Sequence, residues 1–119
     1  MTQQEQTNAL LFCFVKLSKR FFKRANQKQT TAVRNSLRLL INHRDFARLS
    51  DRDSKFYAQN QAKRIEKLMN IVIDAARVAS KNAGRDFWYD DDYNELMRMR
   101  ERVHGSLCFL AFGDVVRIR

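Results

Sequence analysis

Between positions 58 and 79 the apolar residues keep one repeating interval. Ala58, Ala62, Ile65, Met69, Val72, Ala76 and Ala79 are spaced 4-3-4-3-4-3. A strand returns a side chain to the same face every second residue, so this interval is that of a helix with one continuous apolar stripe. Leu68 and Ile73 widen it. Asp51, Asp53 and Ser54 place acids and caps before it, and Lys81 with Gly84 supplies a basic last turn and a stop. The pattern predicts a helix over about 54–83, roughly 45 Å long at 1.5 Å per residue. The chain has no proline and only three glycines. Turn-rich all-β folds are thereby disfavoured, and the rest of the chain is expected to be helical too.

Three more segments carry a helical period. In 7–25, Leu10, Leu11, Phe14, Val15, Leu17, Phe21, Phe22 and Ala25 fill one broad face, and Lys16, Lys19, Arg20, Lys23 and Arg24 fill the other. Phe12 falls among these cations. In 30–48, Val33, Leu37, Leu40, Ile41 and Ala47 form the stripe, with Thr30 or Thr31 as the cap. In 91–112, Tyr93, Leu96, Met97, Val103, Leu107, Leu110 and Ala111 continue the pattern behind Asp90, Asp91 and Asp92, whose carboxylates suit a helix start. Gly113 is expected to end that helix. The tail 115–119 (VVRIR) reads as a short strand or a frayed extension. The chain is long enough for one domain and 45% apolar, enough to bury a core. The expectation is an all-α, four-helix bundle-like single domain over 1–119. The alternative architecture uses the heptad stripe of the long helix as an intermolecular coiled coil, and a homo-oligomer is compatible with either.

The formal charge is +10, and it is unevenly placed. The first 44 residues hold nine Lys/Arg and one acid, Glu5, whereas the remaining 75 hold fourteen Lys/Arg and twelve acids. Lys16, Lys19, Arg20, Lys23 and Arg24 span two turns of one face, and Lys28, Arg34 and Arg38 extend the patch if the second helix lies alongside. Several cations on one surface are what phosphate binding requires, because each neutralised phosphate releases counterions. Fifteen arginines against eight lysines add planar forks suited to phosphates and base edges. Phe12 would stack a base. Surfaces that serve solubility alone usually mix signs, and this helix face carries no acid. The joint at 26–29 lacks the glycine-type turn of a helix-turn-helix, and neither an RNA-recognition signature nor a zinc-finger spacing is present.

Cys13 and Cys108 are too few for a disulfide-stapled scaffold, so the expected setting is reducing and cytoplasmic. The apolar run 9–15 is far short of the ~20 residues that span a bilayer, and its basic residues follow rather than precede it, the reverse of a secretory signal. No membrane partner and no cofactor are expected. Cys13, His43, His104 and Cys108 are a chemically competent zinc set but come from three distant segments, so a metal site is not expected either. Asp90, Asp91 and Asp92 read as helix caps in preference to a cation site. The aromatic run Phe87, Trp88 and Tyr89 reads as a protein-binding patch or a plug at one end of the bundle.

Arg38-x4-His43 (RLLINH) and Arg98-x5-His104 (RMRERVH) resemble the Arg-x4–6-His pattern of HEPN ribonucleases, which are also small helical bundles. That resemblance implies RNA cleavage, with His and Arg acting on the ribose 2′-OH and phosphate. The polar residue that usually follows the first Arg is replaced by Leu39 and Met99. In size and texture the chain is also similar to small helical inhibitors and accessory factors of phages and plasmids, and to the oligomeric basic accessory bundles of diversity-generating retroelements. The expected function is non-enzymatic binding of RNA or DNA through the N-terminal basic face. The alternatives are a protein-interaction module docked on a nucleic-acid-processing complex, and an Arg/His ribonuclease.

Overall fold

A computed structural model describes residues 3–42, 55–85 and 90–112. These form four helices: α1 Gln3–Arg24, α2 Thr31–Asn42, α3 Lys55–Asn82 and α4 Asp91–Phe112. No strand occurs among the described residues. The expected end of the second helix over 43–48, the acids and caps expected before the third, the expected stop at Gly113 and the 115–119 tail lie outside the described residues.

Side-chain pairs fix the helix directions. The start of α1 bonds to the end of α4 through Thr7 and Ser106, and its end bonds to the start of α4 through Arg24 and Asp92. α1 and α4 therefore run antiparallel. Arg77 meets Tyr93, Asn70 meets Arg100 and Glu66 meets His104, so α3 and α4 are antiparallel as well. α2 packs on α1 and on α3, and α1 also touches α3. The result is a four-helix bundle.

The core is built from the expected stripes. Phe14, Phe21, Leu37, Ile65, Met69, Leu96 and Leu107 are fully enclosed. Burial of each contributes about 1.5–3 kcal/mol relative to exposure. From Ala62 onward the heptad stripe of α3 is buried in this core, as are Leu68 and Ile73. It is thus spent on helices of the same chain and is unavailable for the alternative, an intermolecular coiled coil. Ile41 departs from its expected core position and is exposed, while Ser36 is buried instead. The stripe of Val33, Leu37 and Leu40 is narrow in a helix of 12 residues, and Ile41 lies about 80° beyond Val33.

The helix ends have specific causes. α1 begins at Gln3, earlier than the apolar pattern shows, because a buried polar staple ties it down. Thr7 donates to the Gln3 carbonyl at 2.8 Å, Gln3 donates to Ser106 at 2.7 Å, and the Thr7 and Ser106 hydroxyls meet at 2.5 Å. Thr7 has a single proton and has given it to Gln3, so Ser106 is the donor between the two hydroxyls. α1 ends at Asn26, which takes the left-handed conformation at φ 52°. Gln27 N–H donates to Phe22 C=O at 3.0 Å and Asn26 N–H to Lys23 C=O at 3.1 Å, the paired bonds of a Schellman cap. Gly84, at φ 73°, ends α3 with the same pair of bonds. Thr30 caps α2, accepting from Val33 N–H at 3.3 Å.

Candidate nucleic-acid interface

All eight cations singled out in the sequence are exposed. The bundle sorts them into two groups. At 100° per residue, Arg20 lies one step round α1 from Lys19, and Arg24 lies further in the same direction. Lys19 and Lys23 thus border α2, and Arg20 and Arg24 border α4.

On the α2 side a continuous trench runs between the helices. One part, about 350 Å³, is lined by Lys19, Gln29, Arg34, Leu37, Arg38 and Ile41. The adjoining part, about 430 Å³, shares Lys19, Gln29 and Arg34 and adds Phe22, Lys23, Gln27 and Lys28. The floor is apolar and the walls are basic. Among the described residues no carboxylate lines it, and none of its five cations forms an ion pair. Arg34 and Arg38 lean only on neutral atoms, Thr31 Oγ1 at 3.4 Å and Asn35 Oδ1 at 3.3 Å. α2 lies alongside α1, and Lys28, Arg34 and Arg38 line the same trench as Lys19 and Lys23. Ile41, Gln27 and Gln29 are lining residues that sequence reasoning missed. For Ile41 the signal was its offset from the α2 stripe.

On the α4 side the structure adds partners that the sequence does not show. The polar face of α1 carries no acid of its own, but α4 brings two to it. Arg20 Nη2 sits 3.2 Å from Glu95, and Arg24 Nη1 sits 3.0 Å from Asp92. Arg85 reaches Asp92 as well, at 3.1 Å. Partial burial would raise the Asp92 carboxyl, but hydrogen bonds from Arg85 and Arg24 outweigh it and hold the carboxyl below its ordinary value. Arg20 and Arg24 are therefore part of a clasp between helices. Lys16, between the two groups, stands over the Phe12 ring at 4.7 Å from its centroid. Phe12 is 52% exposed.

Of the three acids at the start of α4, Asp90 is the cap. Asp90 Oδ1 accepts from Asp92 N–H at 3.0 Å and Tyr93 N–H at 3.2 Å, while Ser80 and Arg85 donate to the same carboxylate. Asp90 is buried with every partner in place, and Asp91 is exposed. No group of three or more potential metal ligands gathers among the described residues.

His104 and Cys108 share a face of α4, as their spacing required. His104 Nδ1 lies 2.5 Å from Glu66 Oε1 on α3, a partner without any sequence signal because it is a tertiary contact. Cys108 Sγ is 3.6 Å from Nε2 and 3.9 Å from Nδ1. A sulfur on the lone-pair axis of one nitrogen would stand much further from the other, so the thiol lies over the ring face. Burial, with help from Glu66, pushes the thiol up to about 11. The arrangement packs rather than activates the sulfur. Cys13 is exposed, and neither thiol is in a disulfide. Arg98 is exposed, whereas His104 is half-buried against α3. His43 of the other Arg/His pair, and Phe87, Trp88 and Tyr89 of the aromatic patch, lie outside the described residues. None of the helices among the described residues is long and apolar enough to cross a membrane.

No family model, no curated protein and no solved structure matches this chain.

Proposed function

We propose that this protein binds nucleic acid, without a chemical step of its own, by holding the phosphate backbone in the trench between α1 and α2. One observation carries the reading: Lys19 and Lys23 from α1, Arg34 and Arg38 from α2, and Lys28 from the joint between them line one trench with no lining carboxylate among the described residues. Repulsion among such cations is relieved by a polyanion, and each phosphate neutralised releases counterions. Full engagement of five cations gives a log–log salt slope of about −3.5 on a single strand. The free thiols accord with a reducing, cytoplasmic setting.

Changing Lys19, Lys23, Arg34 and Arg38 together to Glu tests the reading. These side chains are exposed and lie outside the α1–α4 clasp, so the helical circular-dichroism signal should stay unchanged. Affinity for RNA or DNA should fall at least roughly 100-fold at low salt. Unchanged affinity in a folded variant refutes the proposal.

A second reading, a protein-interaction module, has its own support. Ile71 and Val78 lie one heptad apart on α3, and both remain exposed, Val78 at 57%. A partner helix reads such spacing. On this reading a protein captured from lysate survives nuclease treatment and is lost with Val78→Asp; capture that disappears with nuclease counts against it.

A further inference from the structure

Resting on the nucleic-acid reading, we infer that the occupant of the trench is a single-stranded segment, with one base stacked on Phe12 and the following phosphates laid along Lys19, Lys23, Arg34 and Arg38.

The first ground is shape. Helices packed side by side have axes about 8–10 Å apart and diameters of about 10–12 Å, so the surface between α1 and α2 is a narrow, shallow groove. A duplex is convex and broader than the groove, and would rest across its walls without reaching the apolar floor. Duplex readout by a helix needs that helix to enter a major groove about 12 Å wide. α1 is flanked by α2 and α4, and α2 is flanked by α1 and α3, so neither helix projects. The exposed cations line both sides of this open groove, and a flexible strand can follow it along its length.

The second ground is the placement of the aromatic ring. A lone exposed Phe is ordinary on a protein surface. This one stands in line with the cations. Along α1, Phe12, Lys19 and Lys23 fall within about 40° of one another, with Phe12 roughly 10 Å from Lys19 along the axis. Lys16 Nζ stands over one face of the ring at 4.7 Å, so a base stacks on the other face or displaces the ammonium. A row of cations in line with an exposed aromatic is the arrangement that holds single strands: the groove tracks the backbone while the ring accepts a base of any identity. In a duplex the base faces are stacked on one another, and the ring has nothing to receive.

Fluorescence anisotropy with labelled oligo(dT) and oligo(U) of about 12 nucleotides, and a duplex of similar length, tests this on the intact chain. Both single strands should bind at least roughly tenfold tighter than the duplex. Their affinities should agree within about tenfold, because no contact in this account reads the ribose 2′-OH. Phe12→Ala should weaken the single strands roughly tenfold, leave the duplex unchanged, and preserve the salt slope, since no phosphate contact is lost. Phe12→Trp should restore binding. Phe12 is half exposed and supports no core contact, so loss of fold is not at issue, and circular dichroism confirms it. Equal affinity for duplex and single strand, or Phe12→Ala indistinguishable from the native chain, overturns the inference while the basic trench stands. Failure of the native chain to bind any of the three probes overturns the trench reading as well.

Discussion

The two flanks of α1 carry the same kind of charge and put it to opposite uses. On the α4 flank, Arg20 and Arg24 meet Glu95 and Asp92 and join two helices. On the α2 flank, Lys19 and Lys23 meet Arg34, Arg38 and Lys28, and no acid among the described residues answers them. The difference separates a cation that is structural from one that is available. It also shows that a charge count along one helix says little until the neighbouring helices are in place.

Breaking the available flank should have the largest effect. The four-fold Glu variant at Lys19, Lys23, Arg34 and Arg38 should lose about 2.7 kcal/mol or more of binding free energy, equivalent to 100-fold, while stability stays level. Next comes the anchor beneath the structural flank. Asp90→Ala removes the α4 cap and leaves Ser80 without its side-chain acceptor, so urea unfolding should show a loss of about 2 kcal/mol. Oligonucleotide affinity at equal folded fraction should barely change. Neutralising the clasp with Arg20→Gln and Arg24→Gln should cost under ~1 kcal/mol of stability, since both guanidiniums are about half exposed. The same contact is sensitive to acid. The Asp92 carboxyl is depressed in the folded protein, so its contribution is complete above its ordinary value near 4 and fades as pH falls through the lower folded value. Thermal melts between about pH 6 and 3 should therefore drop less steeply in Asp92→Asn than in the native chain. A large loss of binding in the Arg20/Arg24 variant would erase the distinction between the flanks.

How far these flanks are legible in sequence depends on how local their causes are. The heptad stripe of α3 from Ala62 onward, the exposure of the α1 cations and the stop at Gly84 are periodicities or single-residue signals, and each reads correctly without tertiary information. The cap at Asn26 is local too, but asparagine tolerates the left-handed region only with help from its surroundings, so the joint carries no glycine-like mark. Glu95 opposite Arg20, Glu66 opposite His104 and Ser106 opposite Thr7 are separated by 75, 38 and 99 residues. No spacing rule spans such distances. The trench itself is half legible: its residue types were visible along α1 and α2, but the sorting of Arg20 and Arg24 away from it depends on where α4 lies.

The uncompensated row along the trench also ties stability to the solvent. Five like charges held close together repel one another, which raises the free energy of the folded chain most when salt is scarce. Added salt screens that repulsion and should raise the melting temperature of the free bundle, while the same ions compete with phosphates and weaken binding. A bound oligonucleotide would cancel the repulsion directly and add its own linkage stabilisation, growing with ligand concentration above the Kd. The free and loaded forms should therefore respond to ionic strength in opposite directions.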